Sequence, residues 1–184
     1  MNEEKKTELE LRMYFFVPYN LSPIQQAIQA GHAALEYAYR HRESLYFRNF
    51  VTNWKTWIIL DGGTTNSSLA GDGNPLGTLN QIHDELWKKN ITHSLFYEPD
   101  LNDALTAVCF ICDERVWDRE NYPDFINYIT DVENLSAERS IGLRVIPYEE
   151  VVKKYSVLYE GWVVMMGGNE NIFLRDLIRD KRLA

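Results

Sequence analysis

The sequence predicts an α/β fold, a three-layer sandwich in which helices cover both faces of a mixed four-stranded sheet. Short apolar runs of strand composition alternate with stretches of helical periodicity, which is typical of a layered α/β architecture. The third and fourth apolar runs are joined by a short link, 98–103, which favours an antiparallel pair and therefore a mixed sheet. The predicted order is β-α-β-α-β-β-α, followed by a C-terminal extension.

The first strand is predicted at 11–17 and the first helix at 23–42. Ser22 is a favoured N-cap, Pro23 suits the first helical position, and Gln25 stands at the capping-box spacing. One side of the helix is polar and consists of Gln25, Gln29, His32 and Glu36. The apolar stripe expected to pack on the sheet consists of Ile24, Ala27, Ile28, Gly31, Leu35 and Ala38.

The remaining elements follow from the same patterns. Further strands are predicted at 55–60, 92–97 and 105–112, with helices at 76–89 and 123–132. The glycine-rich stretch 61–75 lacks the ending of a P-loop and is expected to be a surface loop. Beyond 132 the sequence predicts a short strand at 141–146, a helix at 148–155, an apolar run at 162–166 and an amphipathic helix at 171–183.

The expected organisation is one domain, 11–132, and a C-terminal extension, 133–184. The apolar side of the last helix requires cover, so the extension should pack on the domain or on a second subunit of a homodimer. No apolar run approaches the roughly 20 residues that cross a bilayer, and the charged first ten residues do not resemble a signal peptide. We therefore expect a cytoplasmic protein without membrane contact.

Composition bears on the partners and cofactors to be expected. The formal net charge of −8 disfavours a nucleic-acid partner, although Arg40, Arg42 and Arg48 form a basic neighbourhood after the first helix. Cys109 and Cys112 lie three apart on a predicted strand, where they point to opposite faces, so we expect two buried thiols and no disulfide. The four histidines are scattered, and we predict no metal site and no cofactor.

Two segments resemble the type 2 peptidyl-tRNA hydrolases. The first is Gln29-Ala30-Gly31-His32-Ala33, which matches the small-residue first helix of that family. The second runs over 89–102 into the apolar run 104–112, and is similar to the helix end, third strand, loop and fourth strand of the family's divergent domain-containing branch. The resemblance covers roughly 11–130, and it implies the same α/β sandwich.

The resemblance also implies a chemistry, hydrolysis of the ester between a peptide and tRNA. In the family, a lysine near the start of the first helix and an aspartate in the loop before the last strand are associated with activity. Aligned on His32, both lysine positions of the family hold other residues here, Pro23 and Gln25, and the counterpart of the loop acid is Glu98. A catalytic reading gives Gln25 a hydrogen bond to the substrate carbonyl, makes Glu98 the base, and makes His32 an orienting or proton-carrying group.

The binding residues expected around this site are Ser22, Gln29, Asn102 and Asp103. A structural reading of the same residues stays open, in which Gln25 only closes the capping box, Glu98 is solvated and His32 meets a backbone acceptor. Two functions follow. One is a hydrolase of peptidyl-tRNA that lacks the family lysines, and the other is a non-catalytic protein, a pseudoenzyme, that holds a partner or small ligand on this scaffold.

Overall fold

Four strands form one mixed sheet in the computed structural model, which describes residues 8–66 and 77–184. The strand order is β2-β1-β4-β3; β1 is parallel to β2 and antiparallel to β4, and β3 is antiparallel to β4. The predicted fold class is confirmed. The strands are β1 (Leu11–Pro18), β2 (Thr56–Gly63), β3 (His93–Glu98) and β4 (Ala104–Asp113).

The helices are α1 (Pro23–His41), α2 (Leu45–Asn49), α3 (Thr78–Lys88), α4 (Phe125–Val132), α5 (Ala137–Val145), α6 (Tyr148–Lys154), α7 (Ser156–Met165) and α8 (Asn169–Ile178), with a π-helical turn at Phe50–Trp54. Helices α1 and α3 cover the two faces of this sheet. Alternate residues of β1 face opposite sides, so that Phe15 packs with α1 whereas Phe16 lies on the α3 side. Both phenylalanines are fully buried.

The face that α1 turns to the sheet differs from the predicted one. The residues it buries are Gln26, Gln29, Ala30, Ala33 and Tyr37. Of the predicted apolar stripe, Ile24, Ile28 and Leu35 are exposed. The small side chains of Ala30 and Ala33 fit against a sheet face already filled by large side chains. The buried Gln26 side chain donates a hydrogen bond from its Nε2 to the Pro18 carbonyl oxygen at 3.2 Å.

This difference gives a direct test by mutation. Leu35→Lys is expected to change the free energy of unfolding by no more than about 0.5 kcal/mol, because the side chain is 70% exposed. Ala33→Leu should cost about 1–3 kcal/mol, since Ala33 is fully buried and has no room for added methylenes. Urea unfolding measures the free energy of unfolding of both variants. A larger loss for Leu35→Lys than for Ala33→Leu would show that α1 buries the predicted face.

Several predicted elements beyond 132 change in type or extent. The predicted strand 141–146 is wrong, because these residues belong to α5 and its end; Ser136 caps that helix by accepting from Arg139 N, and Pro147 ends it. The apolar run 162–166 is the second half of α7. Helix α8 ends at Ile178 instead of reaching Leu183. Helix α2 and the π-helical turn were not predicted.

Part of the glycine-rich stretch 61–75 belongs to the described residues. Its first residues, Asp61–Gly63, end β2, and Gly63 has the positive φ of 80° that favours glycine. The stretch 67–76 lies outside the described residues. The two cysteines are free and buried as predicted, and the Cys109 thiol lies 3.3 Å from the Ala33 carbonyl oxygen of α1.

The chain divides into two compact units. The first contains the sheet, up to Asp113, together with Leu177–Ala184, and the second is Glu114–Asp176. The predicted boundary at 132 concerns the extent of the family-like domain and stays a prediction. Among the described residues, no helix has both the length and the apolar character needed to cross a bilayer.

The second unit has its own core, formed by Phe125, Ile129, Leu143, Val151, Trp162 and Met166. Arg175 of α8 is 1% exposed, and its guanidinium donates hydrogen bonds to three positions that precede or begin α4. Its Nε donates to Asp124 at 2.8 Å, and its two terminal nitrogens donate to the carbonyls of Arg115 at 3.0 Å and Tyr122 at 2.7 Å. A planar five-donor group is suited to such divergent acceptors.

The outer edge of β2 is partly covered by the last residues of the chain. Leu183 forms an antiparallel bridge with Leu60. The Asp61 amide donates to the Arg182 carbonyl at 2.9 Å, and the Ala184 amide donates to the Ile59 carbonyl at 3.0 Å. An uncovered strand edge offers hydrogen bonds to other chains, so this short pairing protects part of the sheet.

Candidate functional site

The start of α1 is held by the predicted capping box. The Ser22 hydroxyl accepts from the Gln25 amide, and the Gln25 side-chain oxygen accepts from the Ser22 amide at 3.0 Å and the Ser22 hydroxyl at 2.9 Å. The carboxamide oxygen of Gln25 is therefore used within the cap. Its NH₂ group has no protein acceptor among the described residues and stays available as a donor.

The polar strip of α1 meets the end of β3. Helix α1 packs against β3 and β4, and it places Gln29 beside Glu98. The Gln29 Nε2 donates to the Glu98 carboxylate at 2.7 Å, and the Thr106 hydroxyl of β4 donates to the Gln29 Oε1 at 2.6 Å. Three residues distant in the sequence thus form one directed chain of hydrogen bonds, Thr106 to Gln29 to Glu98.

This chain fixes the Glu98 carboxylate. Gln29 and Thr106 are almost completely buried, at 7% and 1% exposure, whereas Glu98 is only half-buried. A carboxylate accepts only, so the Gln29 amide must present its NH₂ group to Glu98 and its oxygen to Thr106. A hydrogen bond to an ionised acceptor is among the stronger ones, and the chain holds one carboxylate oxygen while solvent reaches the group.

His32 occupies the next turn of α1 and rests on an aromatic ring. Its imidazole stacks on Phe96 of β3, with ring centroids 4.4 Å apart and planes at 21°. No hydrogen bond joins His32 to Glu98 or to Gln25 within the described part of the chain. The ring is half-buried, and among the described residues it has this stack and no backbone acceptor.

The backbone conformation of the β3–β4 connection explains the residues that the sequence places there. Asn102 and Asp103 both adopt the left-handed conformation, with φ of 54° and 53°. Asparagine and aspartate tolerate this conformation better than other side chains, so their presence at the β3–β4 connection is explained by the turn. Both are exposed, and their predicted binding role stays a prediction.

The structure thus brings together part of the predicted set. Gln29 and Glu98 are bonded to each other, and Ser22 is bonded to Gln25, which stands about one helical turn, roughly 5.4 Å, before Gln29. Gln25, His32 and Glu98 do not share a hydrogen bond. Sequence reasoning missed Thr106, although a hydroxyl residue inside the otherwise apolar run 104–112 was a signal that a buried polar partner exists.

The connection that carries Glu98 is acidic, whereas the basic residues named from the sequence lie at the other end of α1. Asp100 and Asp103 follow Glu98 on the same connection. The arginines near the end of α1 pair with neighbouring carboxylates in three exposed ion pairs, namely Arg40–Glu36 at 3.2 Å, Arg42–Glu43 at 3.6 Å and Arg48–Glu43. Exposed pairs of this kind are weak and add little to stability.

The described residues contain no group of three or more His, Cys, Asp or Glu side chains placed to hold a metal ion. The chemistry that this site supports is that of a positioned carboxylate beside amide donors, which suits proton transfer from a water molecule or recognition of a polar group.

No protein-family model matches the sequence, and no curated protein matches it significantly.

Proposed function

We propose that the protein is a peptidyl-tRNA hydrolase-like esterase in which Glu98 is the general base. The observation that supports this most directly is the chain from Thr106 through Gln29 to Glu98, which orients a solvent-accessible carboxylate at the end of a buried polar relay. A general base must be held within hydrogen-bond reach of the proton that it removes. The resemblance of the α1 and β3–β4 segments to the type 2 family supplies the substrate class, an ester of a peptide with tRNA.

The proposed reaction begins with a water molecule bonded to Glu98. The carboxylate takes a proton from this water while the water oxygen attacks the ester carbonyl. The carbon–oxygen bond to the ribose then breaks as Glu98 gives that proton to the departing ribose oxygen. Gln25 is the proposed donor to the developing oxyanion, because its oxygen is held by Ser22 and its NH₂ group remains available. His32, stacked on Phe96, is proposed to orient the substrate.

Hydrolysis is tested by release of the peptide from an N-acylated aminoacyl-tRNA. Glu98→Gln keeps the size and a hydrogen bond but removes the base, and it is expected to lower the rate about 10²–10⁴-fold. Asp100→Asn removes an exposed acid from the same connection and is the matched control, expected to leave the rate within twofold. A wild-type rate equal to that of Glu98→Gln would overturn the proposal.

A second candidate is a non-catalytic protein that holds a partner or small ligand through the same surface. The observation that favours it is the double use of Gln25 as part of the helix cap, together with the absence of a lysine at either family position, 23 or 25. Binding of tRNA without release, with affinity that falls steeply between 50 and 200 mM salt, would identify this function. Affinity that does not depend on salt would exclude a phosphate-mediated interaction.

A further inference from the structure

Helix α1 leaves part of the sheet face on which it packs uncovered. It contacts mainly β3 and β4. An α-helix is about 10 Å across with its side chains and neighbouring strands lie about 4.8 Å apart, so one helix covers roughly two strands. On the β1–β2 half of this face, Phe47 of α2 and Phe50 of the π-helical turn pack with the core instead. A cavity of about 370 Å³ remains between these two covers.

The lining of this cavity is almost entirely apolar. Met13 and Trp57, paired neighbours on β1 and β2, line it from the sheet, Phe50 lines one side, and Gly31 and Ala38 of α1 line the other. A Cβ added at Gly31 would have no contact within 4 Å outside its own helix, so the space there is open. Ligand pockets typically measure about 300–1,000 Å³ and have mostly apolar walls, so this cavity has the size and lining of a site for a small apolar ligand.

Lys55 is the one charged residue among the described residues that line the cavity. It ends the π-helical turn with a φ of 58°, and its amide donates to the Phe50 carbonyl at 3.1 Å. This left-handed conformation favours glycine or asparagine, so the backbone does not account for a lysine. The side chain is exposed and forms no ion pair within the described part of the chain. Its apolar stem can lie along the cavity while the ammonium group stays in water at the entrance.

An apolar cavity with a single cation at its entrance complements a ligand that has an apolar body and one negative group. Such a ligand removes apolar surface from water when it fills the cavity, which favours binding. A carboxylate beside Lys55 gains a charge-assisted contact. The protein as a whole carries a net charge of −8 and repels anions, so the attraction of an anionic group to this site must be local.

We propose that this cavity binds a medium-chain fatty acid, with its alkyl chain along α1 and its carboxylate beside Lys55. Between Gly31 and Ala38, α1 rises by about 10 Å, which is comparable to the length of an extended decanoate chain. Trp57 and Glu98 belong to opposite edges of the sheet, because β2 and β3 are its two edge strands. Fatty-acid binding is therefore independent of the proposed esterase activity.

The test is isothermal titration calorimetry of the full chain with decanoate below its micelle concentration. We expect saturable binding of a single decanoate per chain. Affinity should rise by up to about fourfold for each methylene added between hexanoate and decanoate, because each buried methylene is removed from water. Decyltrimethylammonium carries the same chain with the opposite charge, and its affinity should be lower by about fivefold or more.

Two variants separate the contributions of the apolar chain and the charge. Gly31→Leu fills the cavity from α1 and should weaken decanoate binding about tenfold or more. This variant should fold, because a glycine inside a helix is replaced by a better helix former and the added Cβ enters open space. Lys55→Met keeps the length of the side chain without its charge. It should weaken decanoate binding about twofold to fivefold and reduce the discrimination against decyltrimethylammonium.

The matched control is Lys153→Met, which removes an exposed lysine of α6 and should bind decanoate like the wild type. Binding that does not saturate, or equal decanoate affinity in the wild type and Gly31→Leu, would overturn the proposal. Circular dichroism establishes that each variant is folded. If Gly31→Leu does not fold, Lys55→Met decides the question, because unchanged discrimination between the two ligands would also overturn it. A dimer in analytical ultracentrifugation without decanoate binding would assign the cavity to a second copy of the chain instead.

Discussion

Replacing Arg175 by alanine is expected to lower the stability of the unit 114–176 by about 3–5 kcal/mol. The guanidinium is 1% exposed and serves Asp124 and the carbonyls of Arg115 and Tyr122 at once. Without it, two carbonyl oxygens and a half-buried carboxylate lose their charged donor, and the desolvation cost of each is no longer offset. The void left by the side chain adds a packing cost.

Amide hydrogen exchange measures this loss of stability residue by residue. Faster exchange confined to 114–176 in Arg175→Ala would show that this unit is the part destabilised. Arg139→Ala is the matched control, since Arg139 is an exposed arginine of α5 in the same unit and its removal should change stability by no more than about 0.5 kcal/mol. Arg175→Lys keeps the charge but cannot reach three divergent acceptors. Its loss of stability should therefore lie between that of Arg139→Ala and that of Arg175→Ala. Unchanged exchange in Arg175→Ala would contradict a stabilising role.

Phe110→Ala is expected to lower the stability of the sheet-containing unit by about 3–5 kcal/mol. Phe110 is fully buried in β4 and its ring stacks on Tyr14 at 5.8 Å and contacts Phe16 at 6.1 Å between centroids. Aromatic pairs of this kind contribute beyond their buried area, and the cavity left by the ring lies between a sheet and a helix that cannot easily collapse.

Urea unfolding followed by circular dichroism measures the loss, and hydrogen exchange of β1 and β4 locates it. Tyr19→Ala is the matched control, because Tyr19 follows β1 with 60% of its surface exposed and should cost little. A midpoint equal to that of the wild type would show that the ring does not support the core. Comparison with Arg175→Ala then shows whether the two units lose protection separately or together.

The sheet was predictable because its signal is local. Runs such as 105–112 are apolar, of strand length and bounded by polar residues, and the short link before β4 favours an antiparallel partner. The buried face of α1 was not predictable in the same way. Hydrophobic periodicity ranked Ile24 and Leu35 above Ala30 and Ala33, whereas close packing on a crowded sheet selects small residues.

Only part of the candidate site could be predicted from the sequence. Gln29 and Glu98 could be named from a family resemblance, and the capping box of Ser22 and Gln25 from spacing alone. The buried glutamine that connects Thr106 to Glu98 depends on contacts across 77 and 69 positions of sequence, which no local pattern contains. The contact between His83 of α3 and His93 of β3 is missed for the same reason, because the two residues belong to different elements.

The bridge between Leu60 and Leu183 has a consequence for synthesis on the ribosome. Strand β2 ends at Gly63, and the segment that covers its edge is translated roughly 120 residues later. At about 5–20 residues per second, the edge waits on the order of 6–24 s for its partner, longer than small domains usually need to fold. During that interval, the nascent chain carries an open strand edge, and this is the stage at which a chaperone would protect it most effectively.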